Sequence, residues 1–138
     1  MINVIANALS GLTAATKKVE ASASNVANLT TAGALDEKDG PKPYETLKTV
    51  QTSVADQDGN GQGVRARNIP KDPGFVQAYD PDSPFADENG YIGVPNTDLA
   101  EEAVNLKLAE ITYKANLKTL QVAKETTEEL LRTFDDRL

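Results

Sequence analysis

Two of the side chains most used in protein chemistry are missing from this sequence, which contains no histidine and no cysteine. That removes the commonest general base, the commonest metal ligand, every thiol nucleophile and every disulfide. The carboxylates that remain come as neighbours: Glu101 with Glu102, Glu128 with Glu129, Asp135 with Asp136. Adjacent residues on a helix do not face each other, so these pairs are poorly placed to share a proton or flank a substrate. No hydroxyl or amine sits in a context that would activate it. The residue chemistry therefore points away from an enzyme.

Two loops deserve a test as ligand sites. Asp56-Gln57-Asp58-Gly59-Asn60-Gly61 matches the first half of a calcium-binding helix-loop-helix motif. That motif needs a bidentate glutamate at its twelfth position, where this chain has Arg67. A cation there opposes calcium, and strand-like sequence flanks the loop where helices are required. A hairpin turn is the expected structure. Gly59, Gly61 and Gly63 could suggest a phosphate cradle, but neither a Lys-Ser or Lys-Thr pair nor a helix start follows. No metal and no cofactor is expected. Asn25 and Asn28 are harder to dismiss. Three residues apart, they share one side of a helix, and each amide both donates and accepts. They could bond the backbone of a neighbour or cap carbonyls of their own helix.

The elements that would position these residues follow from apolar spacing. Residues 96–138 read as one long helix, with Asp98 as N-cap and Glu101 at capping-box spacing. Neither glycine nor proline interrupts it, and about 37 helical residues extend roughly 55 Å. Leu99, Ala103, Leu106, Tyr113, Leu117, Leu120 and Leu131 form one apolar stripe, and Val104, Leu108, Ile111, Ala115 and Val122 form a second on nearly the opposite side. Such a helix expects burial from both sides, one by its own partner helix and the other by a different molecule.

Residues 1–33 read as a second helix. Ile5, Leu12, Val19 and Val26 repeat at seven, with Ile2, Leu9, Thr16, Ala23 and Thr30 in the alternate position. This heptad-like spacing predicts the seam of a helix pair. The other faces are mostly Ala, Ser, Thr and Asn, which permits close approach by several neighbours. Between the helices, residues 34–95 read as an insert. A Thr- and Val-rich stretch at 44–54 and two short candidates at 64–69 and 75–79 predict two or three strands, and 80–95, punctuated by Pro81, Pro84, Gly90, Gly93 and Pro95, predicts a loop. The expected fold is mainly α with a small β insert. Its long N- and C-terminal helices would pair as an antiparallel coiled-coil-like unit.

Composition narrows the partners. Apolar residues make up 39% of the 138, aromatics 5%, and tryptophan is absent, so a compact core would be thin. A net charge of −7 argues against a nucleic-acid partner. No run is long and apolar enough to span a membrane. The first residues lack the basic region of a cleavable signal peptide.

Several motifs together resemble the axial proteins of the bacterial flagellum, most closely basal-body rod proteins of FlgC type. Ser24-Asn25-Val26-Ala27-Asn28 looks like their Asn-Ala-Asn signature. Pro43-Tyr44 and Gly63-Val64 to Asp72 are similar to their strand segments. Asp80-Pro81-Asp82-Ser83-Pro84, Ala86-Asp87-Glu88-Asn89-Gly90-Tyr91-Ile92 and Pro95-Asn96 resemble their most distinctive block. Tyr113-Lys114-Ala115-Asn116 matches their Tyr-x-Ala-Asn. Ser83, Phe85 and Glu45 depart from the pattern.

The resemblance implies a structural subunit of the proximal rod, in the periplasmic part of the basal body, that self-assembles through its terminal helices and transmits torque. Its implied partners are other rod subunits, copies of itself and the flagellar type III export apparatus, with export that leaves no cleaved signal. Residues expected at subunit interfaces are Ile5, Leu9, Leu12, Val19, Asn25, Val26 and Asn28 in the first helix. In the second they are Leu99, Val104, Leu106, Leu108, Ile111, Tyr113, Asn116, Leu117, Leu120 and Val122. The alternatives are another axial subunit, of distal-rod or hook type, and a regulatory helical module that binds one partner helix.

Overall fold

The computed structural model describes residues 2–36, 38 and 40–135. The side chain of Ile2 and the whole of Asp136, both named above, lie outside the described residues. The order is α1 (Ile2–Ala27), β1 (Leu47–Ala55), β2 (Gly61–Pro70), β3 (Phe75–Tyr79), β4 (Tyr91–Pro95) and α2 (Leu99–Asp135). The chain is thus mainly helical, with a small insert of two sheets between two long helices.

Both helices end where their residues demand. The Asn28 amide donates to the Ser24 carbonyl at 2.9 Å and closes the last turn of α1. Asp98 Oδ1 accepts from the Ala100 and Glu101 amides at 2.7 and 3.3 Å, so it is the N-cap of α2. Glu101 does not complete a capping box in this structure; its carboxylate pairs with Lys71 at 2.9 Å.

β1 and β2 form an antiparallel hairpin, paired from Leu47↔Pro70 to Ala55↔Gly61, with a bulge between Ser53 and Ala55. Its turn is the calcium-like loop. Asp56 Oδ1 accepts from the Asp58 and Asn60 amides at 3.0 and 2.8 Å, and Oδ2 from the Asn60 and Gln62 side chains at 3.2 and 3.0 Å. The Asn60 backbone bond, chiefly, holds this carboxyl below its ordinary pKa. Both oxygens are spent on the turn itself.

The expected loop at 80–95 needs correction: its last five residues are β4, paired with β3 from Phe75↔Pro95 to Tyr79↔Tyr91. Gly93 and Pro95 disguise the strand. Gly93 is required by close approach, because a Cβ there would lie 2.6 Å from Pro43 Cγ, and its backbone forms a bridge to Gly33. Pro95 stands at the strand end, where a missing N–H costs least. Among the described residues the insert therefore has four strands in two separate two-stranded sheets, not two or three strands.

The helix contact also differs from the expected seam. Ile5, Leu9, Val19 and Val26 are all exposed, Leu9 by 57%, and Leu12 is half-buried. The buried residues of α1 are Ala8, Ala14, Ala15, Ala21, Ser22 and Asn25. The physical reason is that α1 is sandwiched. α2 packs on one side and the β1–β2 hairpin on the other, and only small side chains let three backbones come this close. A Cβ on Gly11 would lie 2.5 Å from Asn116 Oδ1, and one on Gly63 would lie 2.1 Å from Ser10 Oγ. On α2 the line facing α1 is Glu102, Ala109, Asn116 and Ala123, again seven apart. Of the two apolar stripes expected to be covered, only Leu106 and Leu120 are half-buried, and the other large residues are exposed.

Candidate assembly interface

The interface is set by one junction and the faces it leaves open. At the junction Asn25 is 0% exposed. Its Oδ1 accepts from the Leu47 amide at 2.8 Å and the Tyr44 hydroxyl at 3.0 Å. Its Nδ2 donates to the Leu47 carbonyl at 2.8 Å and to Glu102 Oε1 at 2.6 Å. The side chain thus pairs with Leu47 as a neighbouring strand residue would, and its second proton ties α1 to α2. All four positions of the amide are used. Of the two roles left open for the asparagines, Asn25 takes the first, bonding backbone of an adjacent element, and Asn28 takes the second.

Around Asn25 the other elements converge. The Ser24 hydroxyl lies 2.9 Å from the Tyr44 hydroxyl oxygen and donates to it, since the tyrosine proton goes to Asn25. Buried Thr46 accepts the Lys71 amide at 2.6 Å and donates its own amide to Gly74 at 2.9 Å. Its hydroxyl meets that of Thr97 at 2.8 Å. The entries to β1, β3 and α2 are locked to one another within a few residues. Glu102 and Thr46 are structural residues that spacing alone does not reveal.

From this junction α2 runs beside α1 so that residue numbers rise along one as they fall along the other. Asn25 meets Glu102, Gly11 lies against Asn116, and Val4 shares a cleft with Ala123. The open faces follow. Leu99, Val104, Leu108, Ile111, Tyr113, Leu117 and Val122 on α2, and Ile5, Leu9, Val19 and Val26 on α1, are all exposed; Val104 is 59% so. Leu12, Asn28, Leu106, Asn116 and Leu120 are half-buried, and Asn25 reaches no surface. Apolar clefts flank the pair. One of about 540 Å³ runs from Val4 to Ala115, Val122 and Ala123, and another of about 320 Å³ lies between Ala15, Val19, Leu106 and Tyr113. Exposed apolar surface on this scale, following helix faces, belongs to a contact surface and not to a reaction site. Among the described residues no group of acidic side chains could hold a metal ion.

Known proteins carry the same arrangement of sequence. The chain is 35% identical over 136 residues to the flagellar basal-body rod protein FlgC of Aquifex aeolicus, covering 98% of this chain and 96% of that one. It is 36% identical over 125 residues to FlgC of Yersinia enterocolitica, at 90% of each chain. It is 31% identical over 136 residues to FlgC of Bacillus subtilis, at 89% of each. This chain belongs to the FlgC family of flagellar basal-body rod proteins. No protein-family model matches it. The rod protein is a structural subunit and not an enzyme, in keeping with relatives that are rod proteins. Among the described residues no helix is long and apolar enough to cross a membrane.

Proposed function

We propose that this rod protein builds the proximal rod from copies of itself and other rod subunits, and that torque passes through its packed helix faces. In this reading α1 and α2 act as an antiparallel coiled-coil-like unit. Residues 1–33 and 96–138 are the assembly segments, and 34–95 form an outward insert. The exposed apolar residues named above, with half-buried Leu12, Asn28, Leu106, Asn116 and Leu120, form the subunit interface. Asn25 contributes by fixing the angle between the helices. The subunit reaches the periplasmic rod through the flagellar type III export apparatus, without a cleaved signal.

One observation carries the reading: the two helices bury mainly small residues and leave most of their large apolar residues exposed. Fully burying one such side chain is worth about 1.5–3 kcal/mol, and within a single copy most of that remains unrealised. Neighbours on several sides would realise it. The test is Leu108→Asp combined with Ile111→Asp. Both positions are exposed, so the isolated chain keeps its fold. In the rod each charge would be buried without a partner, at a cost on the order of several kcal/mol per subunit. Loss of rod incorporation and of swimming is expected; normal swimming in a strain with only this variant would overturn the reading.

A further inference from the structure

The β1–β2 hairpin has an inner and an outer face. Asn68 Nδ2 donates to the Lys17 carbonyl of α1 at 3.0 Å and Asn68 Oδ1 accepts from the Thr49 hydroxyl at 2.8 Å, so these residues point inward. Strand alternation then sends Lys48, Arg65 and Arg67 outward. The register sets Arg65 opposite Thr52 and Arg67 opposite Val50, between uncharged neighbours. All three cations are exposed, and the ion pairs of the described residues include none of them. Both arginines line a cleft of about 490 Å³ with Thr52, Ser53 and Val54. This is a basic sheet face on a chain of net charge −7.

The complementary charge lies elsewhere on the same chain. Between residues 80 and 90 there is no lysine or arginine, and Asp80, Asp82 and Glu88 are exposed and outside any ion pair of the described residues. The loop is held in shape. The Asp80 amide donates to the Gly90 carbonyl at 2.9 Å and the Ser83 amide to Asp80 at 3.2 Å. Asp87 Oδ1 accepts from the Asn89 and Tyr91 amides, both at 2.8 Å. Its exposed carboxylates therefore sit on a closed, internally bonded turn.

We propose that the outer face of the β1–β2 hairpin in one copy receives the 80–90 loop of a second copy. The occupant follows from charge complementarity between two patches of one chain. Repeated head to tail, such a contact runs from copy to copy, as an open helix where the rotation does not close into a ring. It rests on the rod-subunit reading and adds to it a contact outside the helices, one that fixes rotation between neighbouring copies.

The chain has no cysteine, so introduced thiols report this contact alone. Basal bodies from cells whose rod protein carries Arg67→Cys and Glu88→Cys together are oxidised and run on denaturing gels. A ladder of cross-linked copies is expected, with none from either single change. No ladder, or a cross-link to a different rod protein, overturns the proposal. Charge reversal gives a second readout. Arg65→Glu with Arg67→Glu, and separately Asp82→Lys with Glu88→Lys, should each shrink the swimming halo severalfold, and all four together should restore it. A fourfold variant as defective as the twofold ones, or full halos from both pairs, overturns the contact. Full halos here, beside loss of swimming in the Leu108→Asp and Ile111→Asp strain, would remove this contact and leave the rod reading standing.

Discussion

The change Asn25→Asp alters one atom of the junction. Oδ1 stays in place for the Leu47 amide and the Tyr44 hydroxyl. Nδ2 becomes an oxygen 2.8 Å from the Leu47 carbonyl and 2.6 Å from Glu102 Oε1. Two carboxylates at that distance, 0% and 4% exposed, do not both ionise. Keeping one protonated at pH 7, about three units above an ordinary carboxyl, costs roughly 4 kcal/mol. Its single proton serves either Glu102 or Leu47, and the acceptor left over adds about 1–3 kcal/mol. The loss of roughly 5–7 kcal/mol rivals the whole stability of many domains, about 5–15 kcal/mol.

The pH dependence has a definite sign. The shared pKa of the pair is raised in the folded state. The variant's deficit relative to the parent chain is therefore small below the unfolded pKa of about 4 and grows as pH rises through the raised folded value. Urea unfolding followed by far-UV circular dichroism at pH 4 and pH 7 reads both quantities. Adding Glu102→Gln should recover most of the loss at pH 7, because one charge is gone and the new amide can donate to Asp. Parent-like stability of Asn25→Asp at pH 7, or a deficit independent of pH, would refute the account of the junction.

Further predictions follow from the same geometry. Gly63→Ala should cost about 2–4 kcal/mol in urea unfolding, because φ is +92° there and the new Cβ meets Ser10. Gly11→Ala should be nearly neutral, because the flexible Asn116 side chain can give way and the helix gains about 1 kcal/mol in propensity; equal losses at the two sites would contradict this. The Glu110 carboxyl, pulled down to about 2 by the Lys114 hydrogen bond and then by Lys107, should show a carboxyl NMR midpoint well under 4. Its small contribution to stability is present above the ordinary value of 4.5 and lost as pH falls toward 2. Amide exchange in dilute chain should be slowest near Asn25 and Glu102 and fastest toward Val4 and residues 123–135; uniform protection along both helices would show that the pair does not depend on the junction.

Much of the fold was legible because strong local signals agreed with it. Asp98 caps α2, and the Asp56–Gly61 stretch forms a hairpin turn. The first three strands lie at the expected short stretches, and β1 carries the Val50, Thr52, Val54 alternation. β4 was not legible, because Gly93 and Pro95 mark it as loop and the reason for that glycine is Pro43, fifty residues away in sequence. Glu102 stood out only as half of an adjacent carboxylate pair, since only the tertiary fold brings it to Asn25. The line of helix contact was not legible in the heptad-like spacing. A pattern of large apolar residues at seven placed the seam on Ile5, Leu12, Val19 and Val26. The contact itself runs along Ala8, Ala15 and Ser22, also seven apart.

That difference has a cause beyond the single chain. Apolar spacing reports burial in the state under selection, and for a rod subunit that state contains several neighbours. Within one copy, α1 must admit a helix on one side and a hairpin on the other, and large side chains there would hold the backbones apart. Ala, Gly and Ser face inward for that reason, and Ile, Leu and Val are displaced to faces no element of the chain covers. α2 makes the same point through its length. It has 37 residues against 26 in α1, an excess of about 16 Å at 1.5 Å per residue. Val4 already lies beside Ala123 and Thr126. Leu130, Leu131 and Phe134 are exposed, by 67% at Phe134. On the proposed rod reading, a neighbouring subunit covers them.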